Sequence, residues 1–361
     1  MSELILSALV MVVLIWFAGA RYLRGPDLSK MDQLLAGHER LNWERFSAGD
    51  SPSQEHFAVV ESLAGITKEL SEAPRSQHLA LLRQYMNNLT AGRHFEAQFI
   101  AANAGGVPAE WVLAPGADGS LRTLYIHGGA WMMGSPLSHR VITSKFSEIT
   151  RGAVLALDYR LMPENSRMEG IEDCRTAYQW MLANGPLGPQ SARTVFVAGD
   201  SAGGNLTLAL IAWVRDQGLR TPNAAVALSP VTDGTLGSPS LRRNVSTDAM
   251  LGPLFGKLAR VPRSALLWMA YVRVGLRPSD PHLSPLFGRL SNLPPVLIHA
   301  SQAEMLLDDS VRYANAAAAA GSRVRLQTWN HMVHVWHIFD PNLTEARQAF
   351  EEIRKFLAAH S

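Results

Sequence analysis

The sequence has little of several features that mark common protein classes. Cys174 is its only cysteine, so no disulfide can form within the chain, and such low cysteine use is typical of a reducing compartment. The formal net charge is +2 without a long run of one sign. We therefore find no basic stripe that could follow nucleic-acid phosphates, and we expect no nucleic-acid partner. In contrast, 47% of the 361 residues are apolar, enough for a sizeable core in one large domain with additions.

One long apolar run lies at the N-terminus. Residues 4–20 read LILSALVMVVLIWFAGA, in which Ser7 is the only clearly polar side chain. Seventeen residues at the helical rise span about 25 Å, the short end of what crosses a bilayer. Arg21 and Arg24 follow the run and no basic residue precedes it, which is the reverse of the charge order in a signal peptide. We predict a membrane anchor over residues 1–24, and the positive-inside rule then places the rest of the chain in the cytoplasm.

Two other interpretations of this run stay open. Ala18-Gly19-Ala20 resembles a small-residue cleavage site, so the run is also compatible with a signal peptide that is removed during export. A buried or interfacial helix is the third interpretation, because the run is short for a transmembrane span.

Beyond residue 90, short apolar runs of strand type alternate with longer helical patterns. The strand candidates are LRTLYIHGG, AVLALDYRL, RTVFVAGDS, NAAVALSP, PPVLIHAS and RVRLQTWN. The helix candidates are Leu137–Thr150, Met168–Ala183, Ser201–Gln217, Leu307–Ala320 and Leu343–His360. Apolar strands that alternate with helices predict an α/β fold, with a mostly parallel sheet covered by helices on both faces. In such sheets, ligands bind beyond the carboxyl ends of the strands.

Two stretches fall outside this alternation. Residues 25–90 carry a helical, loosely amphipathic pattern with Gly, Pro and Ser breaks, and they predict a helical cap region. Residues 91–361 then form the predicted α/β domain, interrupted at about 241–276 by an apolar insertion with helix-sized pieces. Because this insertion follows a strand end, we expect it to overhang the carboxyl edge of the sheet.

The most informative stretch is VFVAGDSAGGN, in which Ser201 stands in a G-x-S-x-G motif. An apolar strand precedes the motif and a helix begins directly after it, which is the context that a nucleophilic serine requires. The glycines give room to a strained turn that lifts the serine Oγ clear of the sheet. The alternative is a serine that only caps a helix. The flanking strand and helix favour Ser201 as a catalytic nucleophile.

Attack by a serine produces an oxyanion that needs preorganised N–H donors. The strand LRTLYI runs into His127-Gly128-Gly129-Ala130-Trp131, where glycines let backbone amides face a ligand. We predict an oxyanion hole from the amides of Gly128, Gly129 and Ala130, together with that of Ala202 after the nucleophile. An ordinary glycine-rich turn is the alternative. We expect His127 to order this loop without titrating.

Four motifs, HGGAW, DYRLMPE, GDSAGG and HVW, follow one another in this order. Together they resemble the hormone-sensitive-lipase-like family of α/β-hydrolase fold carboxylesterases, over roughly residues 90–361. The resemblance implies an eight-stranded, mostly parallel sheet with a helical cap. It also implies hydrolysis of carboxylic esters by a triad of Ser, Asp or Glu, and His, without a metal or other cofactor. Ala130 replaces the usual third glycine, and its amide can still donate.

The triad needs a carboxylate on a loop between a late strand and the histidine. PPVLIHASQAEMLLDDS offers Glu304, Asp308 and Asp309, and Glu304 lies in the predicted loop after the strand. The family pattern D-P-L-x-D matches E-M-L-L-D here, so the resemblance also places Glu304 at the acid. Asp308 is the alternative acid, although acidic residues in a first helical turn are common without a catalytic role.

NHMVHVWH contains three histidines at intervals of three. His334 stands in the H-V-W position that matches the catalytic histidine of the family, and we predict that it moves the proton between Ser201 and the leaving alcohol. We expect His331 and His337 to be packing or surface residues. A zinc site is disfavoured because H-E-x-x-H is absent, and we predict no metal.

These residues predict a serine hydrolase that cleaves small hydrophobic esters of short to medium acyl chains. A lactone hydrolase, a deacetylase or an amidase with the same triad stays possible, because all share the acyl-enzyme step. A non-catalytic binding protein on this fold is the third hypothesis, and the complete triad argues against it. Six apolar residues of the insertion fit either an acyl pocket or the cap core, namely Met250, Leu251, Leu254, Phe255, Trp268 and Met269.

Overall fold

A nine-stranded sheet organises the part of the chain that the computed structural model describes, residues 2–33, 38–46 and 51–361. In chain order the strands are β1 (Leu41–Phe46), β2 (Gln98–Ala104), β3 (Val107–Leu113), β4 (Asp118–Ile126), β5 (Gly152–Leu157), β6 (Asn184–Gly185), β7 (Gly188–Pro189), β8 (Thr194–Asp200), β9 (Ala224–Leu228), β10 (Val296–Ser301) and β11 (Val324–Trp329). Strands β6 and β7 pair only with each other, outside the main sheet.

The α-helices are α1 (Ser2–Arg24), α2 (Gln54–Glu72), α3 (His78–Asn88), α4 (Arg140–Thr150), α5 (Arg167–Ala183), α6 (Ser201–Asp216), α7 (Ser240–Arg243), α8 (Leu251–Phe255), α9 (Arg263–Val274), α10 (Leu307–Ala319) and α11 (Thr344–Ala358). All six strand candidates and all five helix candidates of the α/β region are present, with ends that differ by a few residues.

The main sheet has the order β1-β11-β10-β9-β8-β4-β5-β3-β2. Strand β3 pairs antiparallel with β2 and with β5, and every other neighbouring pair is parallel. This confirms the predicted mostly parallel sheet. Two changes are needed to the prediction. The sheet has nine strands where the resemblance implied eight, and the additional strand is β1, which lies within the 25–90 region that we predicted as purely helical.

Burial explains why these segments are strands. Every residue of β5, β8, β9 and β10 is buried, as expected for parallel strands covered on both faces. One core cluster lies between the sheet and α5, α6 and α10, and includes Tyr178, Leu208 and Tyr313. The second lies between the opposite face and α4 and α11, and includes Phe146 and Phe350. The sheet is thus the middle of three layers.

The cap consists of α2 and α3 together with the insertion at 241–276, which contains α8 and α9 and most of α7. Helix α1 packs against α9. The carboxyl ends of β4, β8, β10 and β11 all meet the edge beneath this cap, and the loops that follow these four strands carry every site residue predicted above. The fold therefore brings together residues that lie more than 200 positions apart in the sequence.

Candidate active site

Ser201 sits in a strained turn between β8 and α6. Its φ angle is 51°, a left-handed conformation that costs a residue with a side chain about 1–2 kcal/mol. The turn is possible because its neighbours are glycines. A Cβ at Gly199 would lie 2.5 Å from the carbonyl oxygen of Ile126, and a Cβ at Gly203 would overlap the same oxygen. The turn places Ser201 at the positive end of the helix dipole of α6.

His334 and Glu304 form a buried pair at the ends of β11 and β10. The distance from His334 Nδ1 to Glu304 Oε2 is 2.7 Å, and the Glu304 side chain is fully buried. The other carboxylate oxygen, Oε1, accepts the backbone N–H of Ser301 at 2.8 Å. Glu304 is therefore held at both oxygens, and it fixes which ring nitrogen of His334 points away from it.

The free ring nitrogen of His334, Nε2, is buried and has no hydrogen-bond partner among the described residues. His334 and Ser201 line the same cavity, and no direct hydrogen bond joins them in the structure. Burial lowers the pKa of His334, but the hydrogen bond and charge of Glu304, with the charges of Asp248 and Asp200, outweigh that effect and place the pKa above its ordinary value. His334 therefore loses its proton at a higher pH than an ordinary imidazole does.

Two further contacts hold the loop that carries His334. Ser301 Oγ donates to the carbonyl oxygen of Met332 at 2.6 Å, and the backbone N–H of Val335 donates to Ser229 Oγ at 3.4 Å. His334 therefore stands on a loop that is tied to the ends of β10 and β9. Sequence reasoning did not identify either serine, since a buried serine after a strand has no distinctive pattern.

The loop after β4 presents two free amides to the cavity. Gly129 and Ala130 line the cavity beside Ser201, and within the described residues their backbone N–H groups donate to no partner. Both have positive φ angles, 111° and 53°. The amide of Ala202 lies in the first turn of α6, where helix N–H groups lack an intrahelical acceptor. The amides of Gly129, Ala130 and Ala202 stay the predicted oxyanion donors.

Gly128 requires a correction. Its backbone N–H donates to Asp200 Oδ1 at 3.0 Å, so it is not free to bind an oxyanion. A Cβ at this position would overlap the Asp200 carboxylate, so only glycine fits here. The predicted hole of four amides is therefore reduced to three.

Asp200 was missed by sequence reasoning because it is merely the variable residue of G-x-S-x-G. Its buried carboxylate accepts the Tyr125 hydroxyl at 2.7 Å and the Gly128 amide, and His139 Nε2 lies 3.4 Å from it. Burial raises the pKa of Asp200, but the charge and hydrogen bond of His139 and the Tyr125 hydroxyl outweigh it, so the pKa lies below its ordinary value. Asp200 is thus an anion that ties the nucleophile turn to the loop after β4.

His127 behaves as predicted for a residue that orders its loop. Its Nδ1 donates to the carbonyl oxygen of Gly128 at 2.7 Å, and its ring stacks on Tyr159 with centroids 4.4 Å apart. Burial and the neighbouring His139 lower the pKa of His127 to about 3, so the ring is neutral at physiological pH.

The alternative acid and the other histidines lie elsewhere. Asp308 accepts the backbone N–H of Ser240 at 2.7 Å and pairs with Arg243 at 3.1 Å, so it anchors α7 and does not contact His334. His337 Nε2 lies 3.0 Å from His299 Nδ1 in the core, while His331 is half-buried. Within the described part of the chain, no group of three His, Cys, Asp or Glu side chains could hold a metal ion.

A cavity of about 360 Å³ opens above Ser201. Most of its walls are apolar and come from both parts of the cap. Helices α2 and α3, with the residue that follows α3, contribute Leu63, Ile66, Leu82, Tyr85, Met86 and Leu89. The insertion contributes Leu241, Met250, Leu251, Leu254, Phe255, Leu258 and Leu266. Four of the six candidate pocket residues thus line it, whereas Trp268 packs against α1 and Met269 is exposed.

Comparison with known sequences gives the same picture. A family described by its alpha/beta hydrolase fold matches residues 123–338. An acetyl-hydrolase of Streptomyces hygroscopicus is 38% identical over 251 residues, which cover 69% of this chain and 79% of that protein. Carboxylesterase/phospholipase LipF of Mycobacterium tuberculosis (strain ATCC 25618 / H37Rv) is 38% identical over 254 residues, or 69% of this chain and 66% of LipF.

Solved structures agree over a larger share of the chain. An esterase from the bacterial hormone-sensitive lipase family superposes with a TM-score of 0.72 at 33% identity, covering 86% of this chain and 99% of that one. The esterase EstE5, from crystals soaked with p-nitrophenyl butyrate, gives a TM-score of 0.71 at 33% identity over 85% of this chain and 99% of its own. At these identities the likeness extends beyond the fold.

Proposed function

The chain belongs to the hormone-sensitive-lipase-like family of α/β hydrolases and is a carboxylic ester hydrolase, and we propose that it works through Ser201, His334 and Glu304. The observation that carries the proposal is the 2.7 Å contact between Glu304 and the Nδ1 of a histidine whose Nε2 faces no protein partner. His334 and Ser201 line one cavity, as a base and its nucleophile must.

The proposed reaction has two halves. His334 Nε2 accepts the hydroxyl proton of Ser201 as Oγ attacks the ester carbonyl carbon, and Glu304 stabilises the imidazolium that forms. His334 then passes the proton to the departing alcohol oxygen, which leaves an acyl group on Ser201. Water attacks this acyl-enzyme in the second half, with His334 again accepting and returning a proton, so that the acid is released and Ser201 is restored.

The three free amides give the oxyanion its donors. In the proposed reaction, the N–H groups of Gly129, Ala130 and Ala202 donate to the carbonyl oxygen as negative charge develops on it in both halves. Loss of one such donor typically costs roughly 10²–10³ in rate. Asp200 holds this loop through the amide of Gly128, beside the two proposed donors.

The cavity supports hydrophobic, uncharged esters of short to medium acyl length as substrates. Its volume of about 360 Å³ is at the small end of the range for ligand sites. Its walls offer few polar partners apart from the catalytic groups, and Arg242 has an exposed side chain. An acetylated small metabolite is a second candidate substrate, because one relative is named an acetyl-hydrolase.

Helix α1 supports a location at a membrane. It is long and apolar enough to cross a bilayer, and a signal sequence would satisfy the same criteria. We favour an anchor, with residues 4–20 in the bilayer and the catalytic domain on the cytoplasmic side, because basic residues follow the apolar run. Export after cleavage of the run is the alternative.

The test is hydrolysis of p-nitrophenyl acetate, butyrate and decanoate by the full-length protein, beside Ser201→Ala. We expect hydrolysis of the shorter esters, a decline toward decanoate, and a loss of at least roughly 10³-fold in the variant. Retention of activity by Ser201→Ala would remove the serine from the mechanism. If neither protein cleaves these esters, a fluorophosphonate label decides whether Ser201 is an active nucleophile.

A further inference from the structure

Helix α9 of the cap presents an apolar face to the outside of the protein. Met269 and Val272 are 61% and 79% exposed. They are three residues apart in the helix, so their side chains are neighbours on one face. Single exposed apolar residues are common, whereas contiguous apolar patches usually mark an interaction site. This face of α9 therefore needs an occupant.

The neighbour of α9 is the apolar N-terminal helix. Trp16 and Trp268 have ring centroids 5.8 Å apart, and Trp268 Nε1 donates to the carbonyl oxygen of Trp16 at 3.3 Å. Gly19 allows this approach, because a Cβ there would overlap the Trp268 ring. The exposed face of α9 thus lies beside the last apolar turns of α1.

Aromatic and basic side chains also lie near the C-terminal end of α1. Tyr271 packs edge-on against Trp268 with centroids 6.1 Å apart, and the guanidinium of Arg277 lies 4.8 Å above the ring of Tyr22. Tryptophan and tyrosine concentrate at the interface between a bilayer and water. Arg21 is exposed at the same end of α1, as expected where a membrane helix leaves the hydrocarbon.

The positive charge of the cap insertion indicates which kind of surface α9 would bind. The insertion at 241–276 contains six Lys or Arg residues and one acidic residue, Asp248, which is buried. The whole chain has a formal net charge of only +2, so the rest of the protein is net negative. Lys257 and Arg260 are exposed directly before α9. An apolar helix face bordered by basic residues is typical of a segment that binds anionic lipid.

The same insertion forms part of the substrate cavity. Leu258 lines the cavity and is 46% exposed, so it lies where the cavity meets the outside. Leu266, in α9, also lines the cavity and is buried. Helix α9 therefore contacts the cavity on one side and α1 on another, and it leaves Met269 and Val272 uncovered.

We propose that the exposed face of α9 lies in the surface of an anionic bilayer beside α1, and that esters dissolved in that bilayer enter the cavity past Leu258. The first part, which concerns the surface, is independent of catalysis. The second part, which concerns the route of the substrate, rests on the proposed esterase function. Together they make the substrate class a membrane-dissolved neutral ester.

The position of α9 is measured with an environment-sensitive fluorophore on Val272→Cys in the full-length chain, reconstituted in vesicles of phosphatidylglycerol and phosphatidylcholine. The native Cys174 is buried, and burial raises its thiol pKa to about 12, so it does not compete for the label. Leu187→Cys is the matched control, because Leu187 is 97% exposed in the turn between β6 and β7.

We expect nitroxide-labelled lipid to quench the probe at 272 and iodide in the water to quench it weakly, with the reverse pattern at 187. Quenching at 272 by iodide alone would overturn the proposal. Protection at 272 from both quenchers would also overturn it, because that result means that protein, such as a second copy of this chain, covers the face.

The substrate route is tested with the double variant Met269→Glu, Val272→Glu and the control Leu187→Glu. We expect the double variant to lower kcat/KM for a vesicle-dissolved p-nitrophenyl decanoate on the order of ten-fold, because two carboxylates oppose an anionic surface. Its kcat/KM for water-soluble p-nitrophenyl acetate should stay within about two-fold of wild type, because neither side chain lines the cavity.

Equal effects of the double variant on both esters, or no effect on either, would overturn the route. Failure of the wild type to cleave either ester would instead contradict the proposed function, and the quenching experiment would still decide whether α9 lies in the membrane surface.

Discussion

The carboxylate of Asp200 accepts the backbone N–H of Gly128 at 3.0 Å, and so joins the residue before the nucleophile to the loop that carries two proposed oxyanion donors. Asp200 also accepts the Tyr125 hydroxyl at 2.7 Å from inside the core. The nucleophile turn and the oxyanion loop are therefore positioned by one buried anion. A change at Asp200 should disturb the reaction although its side chain touches no reacting atom.

Asp200→Ala should lower both stability and turnover. It leaves buried donors without an acceptor, and each such group costs about 1–3 kcal/mol. Displaced loop amides should lower kcat by roughly 10–100-fold, less than complete loss of a donor. Tyr125→Phe is the control, since it removes one donor and keeps the Gly128 contact, and its kcat should stay within about two-fold of wild type. Equal kcat for Asp200→Ala and wild type would show that Asp200 does not position the loop.

The pH profile should identify the acid of the triad. Because Glu304 and nearby carboxylates raise the pKa of His334 above its ordinary value of 6.5, kcat/KM should rise with pH through a midpoint above that value. Glu304→Gln removes the largest raising influence and leaves the burial, so the midpoint should move to lower pH. The same variant should lower kcat by roughly 10²–10⁴-fold.

Asp308→Asn is the matched control for this profile. It removes a carboxylate that lies four residues after Glu304 and does not contact His334, so the midpoint of the kcat/KM profile should not move. Loss of the contact with Arg243 should lower the stability of the protein slightly. A shift of the midpoint with Asp308→Asn and none with Glu304→Gln would reverse the assignment.

Most of the site was predictable because each residue follows a recognisable strand in the sequence. Ser201 follows an apolar strand and opens a helix, and Glu304 and His334 lie in loops after later strands, so the parallel sheet alone brings them to one edge. Gly128 was misassigned for the converse reason. Its amide faces Asp200, and no pattern in HGGAW distinguishes an amide that holds the loop from one that faces the cavity.

The edges of the sheet were less predictable than its centre. Strand β1, LNWERF, pairs with β11 but has no buried residue and no regular alternation of burial, and its residues also fit an amphipathic helix. Strand β2 is mostly exposed, and β3 contains Pro108, which weakens a strand pattern. The central strands are buried on both faces and read as continuous apolar runs, so their pattern was unambiguous.

Bulk added to the cavity should change which acyl chains the protein accepts. Leu254 lines the cavity in α8, so Leu254→Trp should reduce kcat/KM for p-nitrophenyl decanoate about ten-fold more than for the acetate, since one or two lost methylene contacts are worth that much. Met269→Trp, on the exposed side of the cap, adds the same ring outside the cavity and should leave the ratio unchanged. If the two variants had the same ratio of kcat/KM for decanoate to kcat/KM for acetate, the acyl chain would not lie beside Leu254.

The buried histidine pair should make stability depend on pH. His299 and His337 lie 3.0 Å apart in the core, and burial lowers the pKa of His299 to about 3 and that of His337 well below its ordinary value. In the unfolded chain these imidazoles titrate near 6.5, so the unfolded state binds more protons below that pH. The free energy of unfolding should therefore fall as the pH drops from 6.5 toward 3. The pKa of His334 is raised, so its contribution to the free energy of unfolding changes only above pH 6.5. It therefore does not offset the loss of stability at lower pH.

Urea unfolding of wild type, His337→Phe and His282→Phe at pH 7.5, 6.0, 5.0 and 4.0 tests this dependence. His337→Phe removes one buried imidazole and one hydrogen bond, so it should cost about 1 kcal/mol at pH 7.5 and then lose less stability than wild type on acidification. His282 is exposed, so His282→Phe is the control for replacing a histidine outside the core. Parallel slopes for wild type and His337→Phe would mean that other groups cause the acid sensitivity. A flatter slope for His337→Phe alone would assign part of this sensitivity to His337.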